Sequence, residues 1–177
     1  VFCTGVDAGV DDADDIVDDD NKLVVKKKKF YKFKKKFENN DPDNQIIKDM
    51  WSIINSENIS KKIVIDLFDG VETDLEEKVE INSKKDLLVY SYRVAGTVGL
   101  MMSKILKVNN KESLKGAIDL GIAMQLTNIA RDVCEDKKRK RRYIKSDFSS
   151  IKETIYDSEI FYQKSFKSIS SITLRSR

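Results

Sequence analysis

The sequence has 177 residues, of which 40% are hydrophobic and 36% are charged, a composition typical of a soluble domain with a sizeable core. Its net charge of +3 is a small difference between 33 basic and 30 acidic residues, so no strong overall electrostatic field is implied. It contains no histidine, which excludes His-ligated zinc sites, Ser-His triads and histidine general bases.

Long periodic segments with few breakers favour an all-helical fold, because the chain has one proline and only seven glycines. Phe30, Phe33 and Phe37 follow helical spacing and give the first segment an apolar stripe. We predict helices over residues 7–37 (one or two in sequence), 44–55, 60–71 (broken near Gly70), 83–107, 111–135 and 149–177, with a loop over 137–142. Short turns between long helices indicate a mostly antiparallel bundle that forms a single domain over residues 1–177.

The first concentration of acidic residues lies near the start of the chain, where Asp14 and Asp18 stand four positions apart. On a helix these carboxylates would be neighbours, and their repulsion would destabilise it unless a cation lay between them. The alternative is a frayed acidic terminus. Ile16 and Val17 in the middle of the run argue against plain disorder.

The strongest pattern lies in residues 125–136. At about 100° per residue, four polar side chains fall within about 80° of one another on a helical wheel. These are Gln125, Asn128, Asp132 and Asp136, which we call the acidic stripe. An apolar stripe is centred about 90° away by the same arithmetic: Ile122, Leu126, Ile129 and Val133.

A helix that is apolar around much of its circumference is mostly buried, and buried carboxylates are costly unless they are paired or bind metal. The acidic stripe offers only oxygen ligands, which suit hard cations such as Mg²⁺ or Mn²⁺ rather than zinc. A merely solvated polar face is the alternative. The sequence therefore predicts a helix that presents oxygen ligands to divalent cations and, through them, to a diphosphate.

Three segments together resemble the phytoene/squalene synthase family, the head-to-head prenyltransferases. Residues 14–18 (DDIVD) and 125–136 (QLTNIARDVCED) resemble its two aspartate-rich motifs, and residues 90–102 (YSYRVAGTVGLMM) are similar to the segment between them. Arg142, Tyr143 and Ile144 match the loop after the second motif. The resemblance runs from about Phe2 to Arg177, is closest to phytoene synthases, and implies an all-α isoprenoid-synthase bundle with a central cavity.

Carried over position by position, the resemblance implies a set of site residues. Mg²⁺ ligands, direct or through water, would be Asp14, Asp18, Asn128, Asp132 and Asp136. Gln125 and Arg131 would contact the diphosphates, and Arg142 and Tyr143 would help to close the site over the substrate. Tyr90 would lie near the reacting carbons, where an aromatic face can stabilise a carbocation. Gly96 and Gly99 would allow close helix packing around the prenyl tail.

The sequence departs from the family pattern at its first motif. Phe2 and Cys3 are followed by Thr4, where the family usually has an arginine that binds diphosphate. Counting on from Phe2 would place the motif at Asp7 and Asp11, whereas the local match places it at Asp14 and Asp18, which we prefer. Because the chain starts at Val1 without a methionine and stops at Arg177, we expect a domain truncated at both ends.

The function implied is Mg²⁺-dependent condensation of two prenyl diphosphates, geranylgeranyl diphosphate in the leading hypothesis, to phytoene through a cyclopropyl intermediate, without NADPH. A squalene- or dehydrosqualene-type synthase using farnesyl diphosphate is the nearest alternative, and the squalene reaction would need NADPH. A class I terpene cyclase also fits the spacing of the acidic stripe. Two alternatives are not enzymes: an inactive remnant, and a basic RNA-binding module built on the lysine-rich residues 26–36. The aromatic residues among these lysines lie on one stripe and favour core packing, so we expect no nucleic-acid partner.

The sequence also predicts the compartment. Cys3 and Cys134 lie far apart, so we expect neither a disulfide framework nor a cysteine metal site, and a reducing compartment is the default. The longest apolar stretch, Val94–Met102, is shorter than the ~20 residues that span a bilayer. We therefore expect a cytoplasmic protein, with peripheral membrane association as a route for an apolar product.

Overall fold

A computed structural model describes the backbone of residues 19–169 and the burial of side chains 23–168. Nearly all of this range is helical, which confirms the all-α prediction. The helices are α1 Asp19–Glu38, α2 Gln45–Ser56, α3 Lys61–Asp74, α4 Lys84–Ser91, α5 Thr97–Ile105, α6 Lys111–Lys138 and α7 Phe148–Ile169. A π-helical turn, Tyr92–Gly96, continues α4 into α5, and two short strands, β1 Val79–Glu80 and β2 Arg141–Arg142, pair in parallel.

Side-chain oxygens set the points at which helices begin, because the first backbone N–H groups of a helix lack partners within it. The Ser60 side chain accepts a hydrogen bond from the backbone N–H of Lys62 at the start of α3. Ser83 accepts one from Asp86 at the start of α4. The predicted helix starts near these residues are therefore confirmed and have a local cause.

The contacts divide the described residues into two compact units, one ending at Ser56 and one beginning at Glu57. In the first unit, the rings of Phe37 and Trp51 stack with centroids 5.2 Å apart, and the Trp51 indole N–H donates to the Phe37 carbonyl at 3.1 Å. Phe30 and Phe37 are both buried, as their predicted apolar stripe requires. The prediction of a single domain over residues 1–177 stays a prediction.

The second unit has its core where α4, α6 and the strand pair meet. Its buried members are Val79, Leu87, Tyr90, Ile122, Leu126, Ile129 and Tyr143. Helix α7 packs along α6, where the backbone at Gly116 lies against Ser165 and Ser168. Leu126 is fully buried, and removing a leucine side chain of this size from water contributes about 1.5–3 kcal/mol to stability.

The predicted break near Gly70 is wrong, because α3 continues through this residue to Asp74. A Cβ atom at position 70 would lie 2.7 Å from the Cγ1 of Val94 and 2.9 Å from the Cβ of Arg93, both in the π-helical turn. Gly70 therefore lets two helical segments approach closely and does not end a helix.

The predicted loop over residues 137–142 is also only partly correct. Helix α6 extends to Lys138, and Lys140 takes a left-handed conformation with φ of 57° that ends it. The following two residues form β2. The backbone N–H of Val79 donates to the carbonyl of Lys140, just before this strand, at 3.2 Å, and that of Ile81 donates to the carbonyl of Arg142 at 2.9 Å. This pairing was not visible in the sequence, since two-residue strands carry no periodicity.

Helix α6 lies against the π-helical turn and α5 at backbone distance. A Cβ atom at Gly99 would be 2.9 Å from the carbonyl carbon of Ala117, and one at Gly121 would be 2.6 Å from the carbonyl carbon of Ala95. The expectation that Gly99 allows close helix packing is thus supported by geometry, and Gly121 supplies the same approach from the other helix. Within residues 19–169, no helix is long and apolar enough to cross a membrane.

We predict that Gly121→Ala destabilises the protein by about 1–3 kcal/mol, because the added methyl group would overlap backbone atoms that cannot move aside. Gly96→Ala is the matched control, since its methyl group would meet only side chains, at 3.0 Å from Tyr92 and 3.2 Å from Ile118. Denaturant unfolding of both variants measures the difference. Equal stability of the two variants would show that the backbone contact is not tight.

Candidate active site

The acidic stripe lies on α6 at the edge of its buried surface. Gln125, Asp132 and Asp136 are half-buried and Asn128 is exposed. The apolar stripe beside them is buried, as predicted: Ile122, Leu126, Ile129 and Val133. The structure therefore keeps the four polar side chains on one line of a helix that is packed on its neighbouring side.

Asp132 forms an ion pair with its sequence neighbour. The Arg131 guanidinium donates from Nε to Asp132 Oδ1 at 2.7 Å and from Nη2 to Oδ2 at 2.6 Å. This hydrogen bonding lowers the pKa of Asp132 and raises that of Arg131. The Arg131 side chain is exposed and that of Asp132 is half-buried, so water reaches the pair and it adds little to stability.

Asp136 has the opposite electrostatic setting. Partial burial raises its pKa, the nearby carboxylates of Asp132 and Asp74 add to this effect, and Arg141 and Arg139 oppose it. Desolvation thus makes the charged form of Asp136 costly in the protein alone. A bound cation would remove that cost, which is the chemistry expected of a metal ligand.

The segment after α6 forms one wall of a small pocket. Arg141, Arg142 and Tyr143 line it together with Asp136 and Val133. The Arg142 guanidinium donates to Asn82 Oδ1 at 3.1 Å and lies 3.4 Å from Glu80. Arg142 is exposed, so its place at the pocket is compatible with the predicted contact with an anion.

Tyr90 and Tyr143 meet at a carboxylate that sequence reasoning missed. Tyr90 donates to Asp74 at 2.8 Å, and Tyr143 donates to Oδ1 of the same residue at 2.7 Å. The two rings are stacked with centroids 4.9 Å apart. Burial is the main cause of a raised pKa at both phenols, and the negative charge of Asp74 adds to it.

A signal for Asp74 was present in the sequence. Once α3 is followed to its end, Asp74 is its last residue, and a negative charge at the C-terminal end of a helix is opposed by the helix dipole. An acidic residue in that position therefore indicates a partner elsewhere in the fold. The predicted helix breaks near Gly70 and does not include Asp74, so the prediction lacks this signal.

Of the sequence-predicted site residues, the structure places Asp136, Arg142 and Tyr143 around one pocket, with Tyr90 stacked on Tyr143. Asp14 and Asp18, like the alternative pair Asp7 and Asp11, lie outside the described residues. Within residues 19–169, no three acidic or cysteine side chains converge as a metal site. The assignment of metal ligands stays a prediction.

Comparison with known proteins gives a consistent family. Residues 10–155 match the sequence profile described as Squalene/phytoene synthase. The 15-cis-phytoene synthase of Paracoccus sp. is 44% identical over 84 residues, which cover 48% of this chain and 27% of that protein. The phytoene synthase of Thermus thermophilus is 49% identical over 79 residues (45% and 27%), and phytoene synthase 1, chloroplastic, of Zea mays is 42% identical over 88 residues (46% and 21%). The aligned segments thus cover about a quarter of each of these relatives.

We predict that Tyr90 and Tyr143 stay protonated well above pH ~10, the ordinary range of a phenol. The folded state holds the protons of these two phenols more tightly than the unfolded state does. Their contribution to the free energy of unfolding is therefore present in full below pH ~10 and is lost as the pH rises above it. Phenolate absorbance in an alkaline titration measures this. Tyr143→Phe should remove part of the signal that titrates well above pH ~10. An unchanged signal in that range would contradict the assignment.

Proposed function

Since this chain belongs to the squalene/phytoene synthase family, we propose that it carries the diphosphate-ionising part of a phytoene synthase, which joins two prenyl diphosphates head to head. The observation that carries the proposal is the half-buried acidic stripe, with Asp136 facing a pocket that Tyr143 and two arginines also line. Because the relatives compared above are phytoene synthases, we propose phytoene rather than squalene as the product.

The residues of the stripe fit Mg²⁺ in chemical type, because they offer carboxylate and amide oxygens and burial makes Asp136 costly to ionise alone. We propose that Asn128, Asp132 and Asp136 hold Mg²⁺, with Asp14 and Asp18 as further ligands. When bound there, the cations would neutralise the charge that develops on the departing diphosphate.

The chain's own residues would act on the substrate in three ways. Gln125 and Arg131 bind diphosphate oxygens. To do so, Arg131 gives up its hydrogen bonds to Asp132 and forms new ones to the diphosphate. Arg142 adds a positive charge at the pocket wall. Tyr90 presents its ring to the allylic cation, and the apolar core around it keeps water away from that cation.

The balance of the reaction distinguishes phytoene from squalene formation. Joining two geranylgeranyl diphosphates releases two diphosphates and two protons, so no reductant is consumed. The squalene reaction replaces the second proton loss by hydride transfer from NADPH. The proposal therefore includes no NADPH. Its partners are Mg²⁺ and the prenyl diphosphates, and it includes no nucleic acid. It also includes a cytoplasmic location with peripheral membrane association, because the product is apolar.

We predict that Asp132→Ala lowers Mg²⁺-dependent product formation by the intact protein at least about a hundredfold, the scale expected when a transition-state charge contact is lost. Glu135→Ala is the matched control, because Glu135 is an exposed carboxylate on the same helix that pairs with Arg139 outside the acidic stripe. Extraction of labelled prenyl product measures the activity, and unfolding curves check that both variants fold.

RNA affinity should be the same for wild type and Asp132→Ala. If Asp132→Ala kept full product formation, or if Glu135→Ala lost as much as Asp132→Ala, the acidic stripe would not be the site.

A further inference from the structure

Asp74 receives hydrogen bonds from three places in the second unit. Its carboxylate accepts from the phenol of Tyr90 at 2.8 Å and 3.0 Å, and from that of Tyr143 at 2.7 Å. Its backbone carbonyl accepts from Arg141 Nη2 at 3.0 Å. The residue therefore joins the end of α3 to α4 and to the segment that follows the acidic stripe.

Proton counting shows what this arrangement requires of Asp74. Each phenol has one proton to donate, and the two phenol oxygens lie 3.2 Å apart. Both phenols can donate to Oδ1 of Asp74 together, because one carboxyl oxygen has two lone pairs and accepts two hydrogen bonds. Because Tyr90 and Tyr143 are each only 6% exposed, neither hydroxyl could readily replace this acceptor with water.

The cluster also reaches the acidic stripe. Tyr143 packs in the same buried core as Ile129 of α6, and it lines the small pocket together with Asp136 and Arg141. A shift of Tyr143 would therefore move the wall that faces Asp136. The position of this wall depends on the carboxylate at the end of α3.

We propose that Asp74 is a positioning residue for the prenyl condensation: its carboxylate fixes the hydroxyl of Tyr90 and, through Tyr143, holds residues 141–143 beside Asp136. This inference rests on the proposed function, because the reaction it serves is the one proposed above. Asp74 touches no reacting atom in this account. It acts by setting the place of two aromatic side chains and one arginine.

The test is Asp74→Asn in the intact protein, because asparagine keeps the shape of aspartate. It replaces Oδ2, which accepts from Tyr90 at 3.0 Å, by an NH2 group that can only donate, and it removes the negative charge that strengthens both bonds at Oδ1. The hold on the two buried phenols therefore weakens. We expect kcat to fall about 10- to 100-fold, the scale that follows from a small misplacement near the reacting atoms. KM for the prenyl diphosphate should change less than about threefold, because the acidic stripe that binds the diphosphate is intact.

Asp66→Asn is the matched control, since Asp66 also lies on α3 and also accepts from a tyrosine, Tyr92, at 3.4 Å. It should leave kcat unchanged. Asp74→Glu keeps the carboxylate and should recover part of the lost kcat. In the double variant Asp74→Asn/Tyr143→Phe, the loss should be less than the product of the two single losses, because both remove the same contact.

Three results would overturn the proposal: wild-type kcat in Asp74→Asn, equal losses in Asp74→Asn and Asp66→Asn, or multiplicative losses in the double variant. An inactive wild-type protein would refute the proposed function instead. Hydrogen exchange would then decide the role of Asp74 alone. Faster exchange at residues 140–143 in Asp74→Asn than in Asp66→Asn would support the positioning role of Asp74, and equal exchange would overturn it.

Discussion

Helix α6 must bury one side against its neighbours while a line of oxygen-bearing side chains stays at the edge of that buried surface. The close approach of its backbone at Gly121 to the carbonyl of Ala95 makes this possible, because no side chain separates the two segments. Packing at this distance fixes the rotation of α6 about its own axis. The rotation in turn keeps Asp132 and Asp136 at the edge of the buried surface, where both are half-buried.

The two carboxylates of the acidic stripe are in different electrostatic states, and the difference has a structural cause. Asp132 is neutralised by Arg131, its neighbour in sequence, and its pKa is lowered. Asp136 is held where burial raises its pKa. In the proposed site these two states would have different uses: the pair of Arg131 and Asp132 would open to free the arginine for a diphosphate, and Asp136 would gain most from a bound cation. The stacked rings of Tyr90 and Tyr143 form an aromatic pair, and both hydroxyls donate to Asp74.

Much of the fold could be predicted from the sequence, because helix periodicity and caps such as Ser60 and Ser83 are local signals. The acidic stripe was equally visible, since it depends only on spacing along one helix. The β1–β2 pairing and the Asp74 cluster depend on residues about 60 to 70 positions apart, for example Asp74 and Tyr143. Local patterns do not encode such contacts. The predicted break at Gly70 is wrong for a related reason, because the small size of this residue serves a packing contact with the π-helical turn and not a helix end.

The central claim, that the acidic stripe and the aromatic pair serve head-to-head prenyl condensation, is tested most directly by product analysis. The intact protein would be incubated with Mg²⁺ and labelled geranylgeranyl or farnesyl diphosphate, with and without NADPH, and the apolar product extracted and identified. The account predicts phytoene from geranylgeranyl diphosphate in equal amounts with and without NADPH. Recovery of no head-to-head product from either substrate would contradict it.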